Sequence, residues 1–431
     1  MRVFGWGTGK IARYLFDMFD LEKCFTILGF IDNDEKKWGK YFRDYPIYAP
    51  AILTEVEYDQ ILILCMSENT IVRQLERMGI SSTKLLRYSQ MEIDKLVMRP
   101  VKVAYLTGDY YARVEEANIP DTVSITEKSE CDKFIINDYT LTKEYCSQKY
   151  NIPVEKIEDI GFILKHQYYK LYCQNENNLD REESECIRKV ILSTENRIFF
   201  FDNMDKYKRI NVYYDEKKDL RYVDFGGKKL YLSRKMETYF DNGKEEVLDL
   251  WFEQDDDSPH KYFKNCDVKG VVVDCGVCEG NFSLYNIDKI DKLFLVECDE
   301  DWVEALQATF EPYKDKVVIC NKFLSSKCDD EHITLDALLE GIKPDYIKMD
   351  IEGDEIEALH GAETLLKNNK NCTWNVCVYH KKNHADVIKK IFMKHEIETE
   401  FSKGFINFIY DKDILNHYGL RRCLLCTKVT R

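Results

Sequence analysis

The sequence lacks any apolar run close to the roughly 18 residues that a membrane-spanning helix requires. It also lacks an excess of positive charge, because 77 acidic and 62 basic residues give a formal net charge of −15. A surface that follows the phosphates of a nucleic acid needs the opposite sign. We therefore expect neither a membrane span nor a nucleic-acid partner.

The N-terminus does not read as a cleavable signal, since the chain begins directly with an apolar strand pattern. The 16 cysteines are scattered at core-like positions, which indicates reduced thiols and a cytoplasmic protein. Two CxxC pairs occur, Cys275 with Cys278 and Cys423 with Cys426, but one lies inside a glycine turn and the other at the chain end. We therefore expect no shared zinc site and predict no metal.

One segment, from Val271 to Asp299, carries most of the functional signal. A β-branched run ends in Asp274, Gly276 and Gly280 then open a helix, and a second apolar run ends in Glu297. This order predicts one βαβ unit of a parallel sheet. An acid about 20 residues beyond such glycines is placed to hold the hydroxyl pair of a ribose.

The turn of this βαβ unit is acidic, since Asp274 ends the strand and Glu279 lies within the turn. A dinucleotide site receives a pyrophosphate on bare N–H groups at a helix N-terminus. Two carboxylates would repel a diphosphate but suit a ligand that carries ammonium and sulfonium charges. The pattern therefore favours S-adenosylmethionine as cofactor; the alternative is an ordinary βαβ unit with acids in its loops.

The organisation of the chain predicts an α/β fold. At 431 residues we expect about two or three domains. Strands alternate with helices over residues 1–98, after a turn with Gly5, Gly7 and Gly9, and predict a Rossmann-like domain. Residues 99–200 repeat this pattern as a second, shortened α/β unit with a helical linker. Residues 201–245 alternate like a β-ribbon with Gly226-Gly227 as its turn.

The last predicted domain, residues 246–431, reads as a doubly wound sheet. Its expected strands are VVVD, LFLVE, VVICN, YIKMD, WNVCVYH and FINFIY. Ligands of such sheets bind at the carboxyl ends of the strands. Asp350, Glu352 and Glu355 follow the fourth strand closely, and three carboxylates there need a cation, a basic partner or solvent. Lys348 and His360 are candidates for the positive charge that balances these carboxylates. Glu355 taken alone also has a simpler explanation, because acids are favoured at a helix N-terminus.

Further polar residues lie where strands and loops would meet the same edge. Tyr379 and His380 end the fifth strand, and a histidine there can act as a general base. Asp336 precedes the fourth strand, where it would cap a helix or reach the cofactor. The segment FEQDDDSPHKYF reads either as a solvated linker or as the lining of a sugar or alcohol pocket; its candidate residues are Glu253, Gln254, Ser258, His260 and Tyr262.

The motifs DCGVCEGNFS, FLVECDEDW, DYIKMDIEGDEIEALHGA and VYHK together resemble the FkbM family of S-adenosylmethionine-dependent methyltransferases. The resemblance covers residues 245–425 and implies the Rossmann-like sheet of class I methyltransferases. It also implies methylation of hydroxyls on sugars, glycans or polyketides. The N-terminal segments GWGTGKIA, GFIDND and PIYAP are similar to small Rossmann-like domains that accompany sugar-modifying enzymes. The spacing of the N-terminal glycines does not imply NAD.

With this resemblance, we assign three sets of expected site residues. The catalytic set is His380, Asp350 and Glu352. The cofactor-binding set is Asp274, Gly276, Glu279, Gly280, Asn281, Glu297, Cys298, Asp336 and Asp350. The substrate-binding set is Glu253, Gln254, Ser258, His260, Tyr262, Lys348, Glu355 and Tyr379.

The expected function is that of a cytoplasmic O-methyltransferase that uses S-adenosylmethionine and acts on a hydroxyl of a sugar, nucleotide sugar or glycan precursor. Two alternatives stay open. One is an NAD-linked sugar oxidoreductase that uses the N-terminal glycine turn, and the other is a non-catalytic nucleotide-sugar-binding protein. The sequence leaves the oligomeric state open, a homodimer included.

Overall fold

A computed structural model describes most of the chain. The described residues are 1–65, 67–107, 110–138, 140–175, 179–194, 208–236, 246–248, 258–261, 268–416 and 418–427. The chain divides into two compact units, the first made of residues 1–200 with 409–419 and the second of residues 201–408 with 420–431. Across the described ranges, no helix combines the length and the apolar composition that crossing a bilayer requires.

The first sheet of the first unit is the predicted N-terminal α/β sheet. Its strands are β1 Arg2–Trp6, β2 Thr26–Ile31, β3 Tyr41–Phe42, β4 Tyr45–Tyr48, β5 Gln60–Ile63 and β6 Leu85–Arg87. Their order is β3-β4-β2-β1-β5-β6, and all neighbours except β3 and β4 are parallel. The central strands are apolar runs because both faces of a parallel sheet are covered.

A second, smaller sheet follows in the same unit. Its strands are β7 Val101–Thr107, β8 Val123–Ile125, β9 Lys133–Ile136 and β10 Ile157–Asp159. They run parallel in the order β10-β9-β7-β8, as expected for a shortened α/β unit. The helices described in the first unit are α1 Lys10–Met18, α2 Leu21–Cys24, α3 Glu68–Arg77, α4 Lys143–Tyr150, α5 Ile160–Asn175 and α6 Arg181–Leu192.

Residues 409–419 complete the first unit although they lie near the end of the chain. Ile414 and Leu415 are fully buried there. Gln167 of α5 donates a hydrogen bond to the Leu415 carbonyl at 2.5 Å, and the Tyr168 hydroxyl accepts one from the Gly419 N–H at 3.1 Å. The sequence pattern did not predict this return, because the contacts join residues about 250 positions apart.

The second unit begins with a four-stranded antiparallel ribbon. Its strands are β11 Arg209–Asp215, β12 Leu220–Phe225, β13 Lys228–Tyr231 and β14 Glu246–Leu248, in the order β13-β12-β11-β14. Gly226 and Gly227 join β12 to β13 with φ of +63° and +81°, values that suit glycine in a tight hairpin turn. This turn confirms the predicted one.

A seven-stranded sheet forms the centre of the second unit. Its strands are β15 Gly270–Cys275, β16 Ile290–Val296, β17 Val317–Cys320, β20 Tyr346–Met349, β21 Thr373–Cys377, β22 Thr399–Phe401 and β25 Leu424–Thr427. The order is β17-β16-β15-β20-β21-β25-β22, with β25 antiparallel to both of its neighbours. Short two-stranded sheets pair β18 Phe323–Leu324 with β19 His332–Ile333, and β23 Ile406–Asn407 with β24 Leu420–Arg421.

The predicted sixth strand, FINFIY, was wrong. Only Ile406–Asn407 of this segment forms a strand, and that strand lies in a two-stranded sheet. The position beside β21 is taken by β25, whose adjacent residues Leu424 and Leu425 are both fully buried. Burial of two consecutive strand residues requires that both faces of the sheet are covered. The apolar run of β25 therefore fits an internal strand better than FINFIY does.

The helices described in the second unit are α7 Asn281–Asn286, α8 Glu300–Phe310, α9 Leu335–Leu339, α10 Glu355–His360, α11 Glu363–Asn368 and α12 His384–Lys394. Together with the parallel strands, they confirm the α/β fold class. The finer domain boundaries proposed above (1–98, 99–200, 201–245 and 246–431) stay a prediction.

Candidate active site

The three central strands of the seven-stranded sheet place polar side chains on one face. Successive side chains of a strand point to opposite faces. On one face, Val273, Ile347, Met349, Trp374 and Val376 join a single apolar core. The residues between and after them therefore share the other face near the carboxyl ends of the strands: Asp274, Lys348, Asp350, Cys377 and Tyr379.

The glycine turn after β15 passes very close to the end of β20. Gly276 has a φ of +73°, and a Cβ built on it would lie 1.7 Å from the Asp350 carbonyl oxygen. Gly280, at φ +77°, precedes α7, and its Cβ would meet Leu306 at 2.8 Å. Both positions therefore require glycine for backbone conformation and for space.

Asp274 and Lys348 form a buried ion pair beneath this turn. Lys348 Nζ lies 3.1 Å from Asp274 Oδ1 and donates a hydrogen bond to the Gly276 carbonyl at 2.5 Å. Ser283 of α7 donates to the other oxygen of Asp274 at 2.7 Å. Burial raises the pKa of Asp274, and the Lys348 ammonium opposes that rise. The side chain of Lys348, expected to contact substrate, is only 5% exposed and holds the turn in place.

Glu297, the predicted ribose-binding acid, faces the same turn. Its Oε2 accepts hydrogen bonds from the N–H groups of Val277 at 3.1 Å and Cys278 at 2.9 Å. Its Oε1 accepts one from the Asp299 N–H at 2.9 Å. These turn N–H groups are the type that would otherwise receive a phosphate. Glu297 thus occupies N–H groups that a pyrophosphate would need, whereas the acids on which the sequence-based argument rested were Asp274 and Glu279.

The remaining cofactor candidates divide into two groups. Glu279 and Asn281 lie in and just after the turn, and Cys298 follows Glu297 and is exposed. Asp336 instead caps a helix, because its carboxylate accepts the N–H groups of Thr364 at 2.8 Å and Leu365 at 2.9 Å in the first turn of α11. Asp336 thus caps α11, whereas Thr334 caps α9, the helix that contains Asp336. The expected contact of Asp336 with the cofactor stays a prediction.

Asp350 is the centre of a cluster at the end of β20. Its Oδ1 accepts a hydrogen bond from the Tyr379 hydroxyl at 3.2 Å, and its Oδ2 lies 3.3 Å from His260 Nε2. Burial acts to raise the pKa of Asp350, but the contact with His260 and the charge of Lys348 outweigh it and hold that pKa well below its usual value. Asp350 is therefore ionised at neutral pH.

His380 lies between Asp350 and Glu355. Its Nδ1 is 2.8 Å from Glu355 Oε1, and its Nε2 is 3.4 Å from Asp350 Oδ1. Burial of the imidazole opposes protonation, but the Glu355 carboxylate outweighs it and raises the pKa of His380 above 6.5. Because Glu355 contacts Nδ1, the ring is held with Nε2 toward Asp350.

Glu355 supports this arrangement from inside the protein. It is fully buried, and burial would raise its pKa, but His380 and His384 lower that pKa to about 2. Its Oε2 lies 3.2 Å from His384 Nδ1, and its Oε1 accepts the N–H of Ile351 at 3.2 Å. The structure thus places Glu355 in the interior behind His380, and its expected contact with substrate stays a prediction.

Glu352 occupies the opposite environment. Its side chain is 89% exposed, its φ is +56°, and its Oε2 lies 3.6 Å from His380 Nε2.

Of the loop candidates upstream, Ser258 and His260 are described, and the Ser258 hydroxyl accepts the N–H of His260 at 3.2 Å. Glu253, Gln254 and Tyr262 lie outside the described residues. The roles assigned to these residues stay predictions.

Sequence reasoning missed three residues of the cluster. Cys377 Sγ lies 3.3 Å from His260 Nε2, and His384 contacts Glu355. Arg421 donates to the carbonyls of Tyr379 at 2.5 Å and His380 at 3.0 Å. Cys377 and His384 lie three and four residues from His380, so their closeness in sequence could have indicated that they belong to the same cluster. No feature of the sequence indicated Arg421.

Comparison with known proteins identifies two segments. Residues 239–407 match the family model described as the methyltransferase FkbM domain, and residues 1–86 match the model described as C2185-like, N-terminal. None of the curated proteins compared with the chain matches it.

Solved structures were also compared. A methyltransferase FkbM from Methylobacillus flagellatus KT is 12% identical, with 99% of this chain and 90% of that chain covered and a TM-score of 0.32. A precorrin-6y C5,15-methyltransferase from Geobacter metallireducens GS-15 is 9% identical, with 38% and 80% covered and a TM-score of 0.27.

Proposed function

We propose that this S-adenosylmethionine-dependent methyltransferase, whose FkbM domain occupies residues 239–407, methylates a hydroxyl group of a sugar, a nucleotide sugar or a glycan precursor. The composition of the cluster around Asp350 supports a hydroxyl acceptor, because it offers groups that bind and deprotonate one.

The glycine turn fits the cofactor that the family uses. Gly276 and Gly280 leave space where a side chain would collide, and Glu297 lies against the turn at the end of β16. The only basic side chain described beneath the turn, Lys348, is paired with Asp274. The charge around the turn therefore suits a cation better than a phosphate. S-adenosylmethionine supplies a methyl group on a positively charged sulfur.

One observation carries the proposal for the acceptor: the His380 ring is held by buried Glu355 at Nδ1, while its Nε2 faces Asp350 at 3.4 Å. A hydroxyl that enters this cluster would donate its hydrogen bond to ionised Asp350 or to the neutral ring. His380 would then take the proton as the hydroxyl becomes a nucleophile, a role that matches general-base catalysis. Exposed Glu352 would hold further hydroxyls of the sugar.

This role predicts the pH dependence of methyl transfer. The raised pKa of His380 means that the ring is neutral only at pH above that value. We therefore expect kcat to increase with pH through a pKa above 6.5 and to level off beyond it.

The test measures transfer of a labelled methyl group from S-adenosylmethionine by the full-length protein to a panel of nucleotide sugars and free glycosides. We expect His380→Gln to lower kcat by about 10²–10⁴-fold, the usual contribution of a general base. Binding of S-adenosylmethionine, measured by calorimetry, should be unchanged. The control is His332→Gln, since His332 pairs with Asp329 in another part of the unit.

Two outcomes would contradict the proposal. One is tight cofactor binding without transfer to any sugar hydroxyl in the panel. The other is a His380→Gln enzyme that keeps the wild-type rate and pH profile.

A further inference from the structure

Three side chains of different chemistry converge at the ends of β20 and β21. His260 Nε2 lies 3.3 Å from Asp350 Oδ2 and 3.3 Å from Cys377 Sγ. One potential ligand atom from each residue lies within 4.8 Å of the other two. An imidazole, a carboxylate and a thiol are the three side-chain types that bind zinc in proteins.

The distances within this cluster agree with tetrahedral coordination. Zinc binds nitrogen and oxygen at about 2.0–2.1 Å and sulfur at about 2.3 Å. At tetrahedral angles, the corresponding separations between ligand atoms are about 3.3 Å for nitrogen and oxygen and about 3.5 Å for nitrogen and sulfur. The separation of 3.3 Å between nitrogen and oxygen falls at this value, and the separation of 3.3 Å between nitrogen and sulfur is slightly shorter than it. The carboxylate oxygen and the sulfur lie within 4.8 Å of each other.

The sheet itself holds two of the three residues in position. Met349 pairs with Val376 across β20 and β21, so Asp350 and Cys377 come next on adjacent parallel strands and on the same face. Cys377 is fully buried and Asp350 is mostly buried. Ligands fixed by strands need little ordering when an ion binds.

A second observation points into the same place. The Nε2 of His380 is buried and lies 3.4 Å from the other oxygen of Asp350 and 3.6 Å from Glu352 Oε2, without hydrogen-bond geometry to either carboxylate. A buried ring nitrogen without a hydrogen bond is costly unless another group contacts it. Asp350, His380 and Glu355 form a second, overlapping set of potential ligand atoms.

We propose that His260, Asp350 and Cys377 bind a divalent transition-metal ion, with zinc as the best fit. The thiolate and the imidazole select zinc over magnesium or calcium, which prefer oxygen ligands. Three protein ligands leave one position open, as in catalytic zinc sites. This proposal departs from the expectation, drawn from the sequence alone, that the chain has no metal site.

The use of the ion rests on the proposed function, although its binding does not. A hydroxyl group at the open position would be oriented beside His380, and the ion would lower the pKa of that hydroxyl. The ion would thereby select acceptors that can place a hydroxyl group between Asp350 and His380.

The test uses full-length protein that is first freed of metal with a chelator and then titrated with cobalt(II), and separately with zinc for elemental analysis. We expect one equivalent of either ion per chain and a thiolate-to-cobalt charge-transfer band in the near ultraviolet. Cys377→Ser should abolish that band and lower the affinity for the ion at least tenfold. His260→Gln, at a more exposed position, should lower the affinity by a similar factor.

Cys372→Ser is the matched control, because Cys372 is equally buried beside the opposite end of β21. It should keep the band and the affinity. A wild-type protein without a stoichiometric cobalt band, or a band that survives in Cys377→Ser, would overturn the proposal. Circular dichroism of each variant checks that it folds.

Failure of this site and failure of the proposed function give different results. A protein that binds cobalt through Cys377 but methylates no sugar hydroxyl refutes the acceptor alone. A protein that methylates such acceptors at full rate after complete removal of metal refutes the role of the ion in the reaction, whereas the cobalt titration alone decides whether the ion binds.

Discussion

The two units contain glycine turns built on the same plan but with different surroundings. In each, a central parallel strand leads through glycines into a helix, and an acid follows the next strand, Asp32 in the first unit and Glu297 in the second. Asp32 accepts the Thr8 hydroxyl at 2.7 Å and pairs with Lys37 at 2.8 Å. Glu297 instead binds the N–H groups of its own turn.

The strands beside the turns differ more than the turns do. In the second unit, β20 is followed directly by Asp350, and Tyr379 and His380 come shortly after the end of β21. In the first unit, β5 is followed by Leu64-Cys65, and β6 ends in Arg87. The two turns thus share a backbone plan, and the units differ most in the side chains that the neighbouring strand ends present.

The largest loss of stability should come from adding one methyl group to the glycine turn of the second unit. Gly276→Ala places Cβ 1.7 Å from the Asp350 carbonyl at a positive φ. Backbone strain and steric overlap together should lower the free energy of unfolding of this unit by about 3–5 kcal/mol. Calorimetry should also show at least a 100-fold loss of affinity for S-adenosylmethionine.

The same change in the first turn is the control. Gly9 has a φ of −86° and open space around its Cβ position. Gly9→Ala should therefore leave both stability and cofactor affinity within experimental error. Equal effects of the two substitutions would show that the loss at Gly276 does not come from backbone strain and steric overlap at that position.

A second pair of variants tests which unit each C-terminal leucine stabilises. Leu415 and Leu425 are both fully buried, but Leu415 lies in the first unit and Leu425 in the second. Each change to alanine should cost about 3 kcal/mol through lost burial and a cavity. Hydrogen exchange read by mass spectrometry should show faster exchange of β7 and α5 in Leu415→Ala, and of β15 and β20 in Leu425→Ala.

If Leu415→Ala accelerated exchange in the second unit instead, the assignment of residues 409–419 to the first unit would be wrong. Leu338→Ala provides a further reference within the second unit, at a partly buried position.

The smallest effect concerns pH. Burial, followed by the charge of Lys165, lowers the pKa of His166 in the first unit from 6.5 to about 3. Between these values the unfolded chain binds the extra proton, so the first unit loses stability as pH falls. We expect the free energy of unfolding of the first unit to be about 1 kcal/mol lower at pH 5.5 than at pH 7. His380 has the opposite sign, because its raised pKa stabilises the second unit at low pH and loses that effect as pH rises through it.

Hydrogen exchange of the two units at several pH values, in the wild type and in His166→Gln, separates these contributions. The variant should remove the acid sensitivity of α5 while leaving the second unit unchanged. A wild-type first unit that becomes more protected at pH 5.5 would contradict the assignment of His166 as a buried neutral ring.

Local sequence patterns predicted the parts of the fold and site that depend on neighbours in the chain. Alternating strands and helices, the Gly226-Gly227 hairpin and the acidic turn all follow from short-range periodicity. The contact between His260 and Cys377 joins residues 117 positions apart, and β25 displaced the expected last strand. Contacts and strand pairings of this kind depend on the order of the strands in the sheet. A single sequence does not reveal that order.

Residues 409–419 also affect the order in which the protein becomes complete during synthesis. The ribosome finishes the first 200 residues long before it makes Ile414 and Leu415, which those residues bury. At about 5–20 residues per second, the nascent first unit waits for tens of seconds with part of its apolar surface uncovered. The first unit can therefore reach its complete apolar packing only after residues 409–419 have been made.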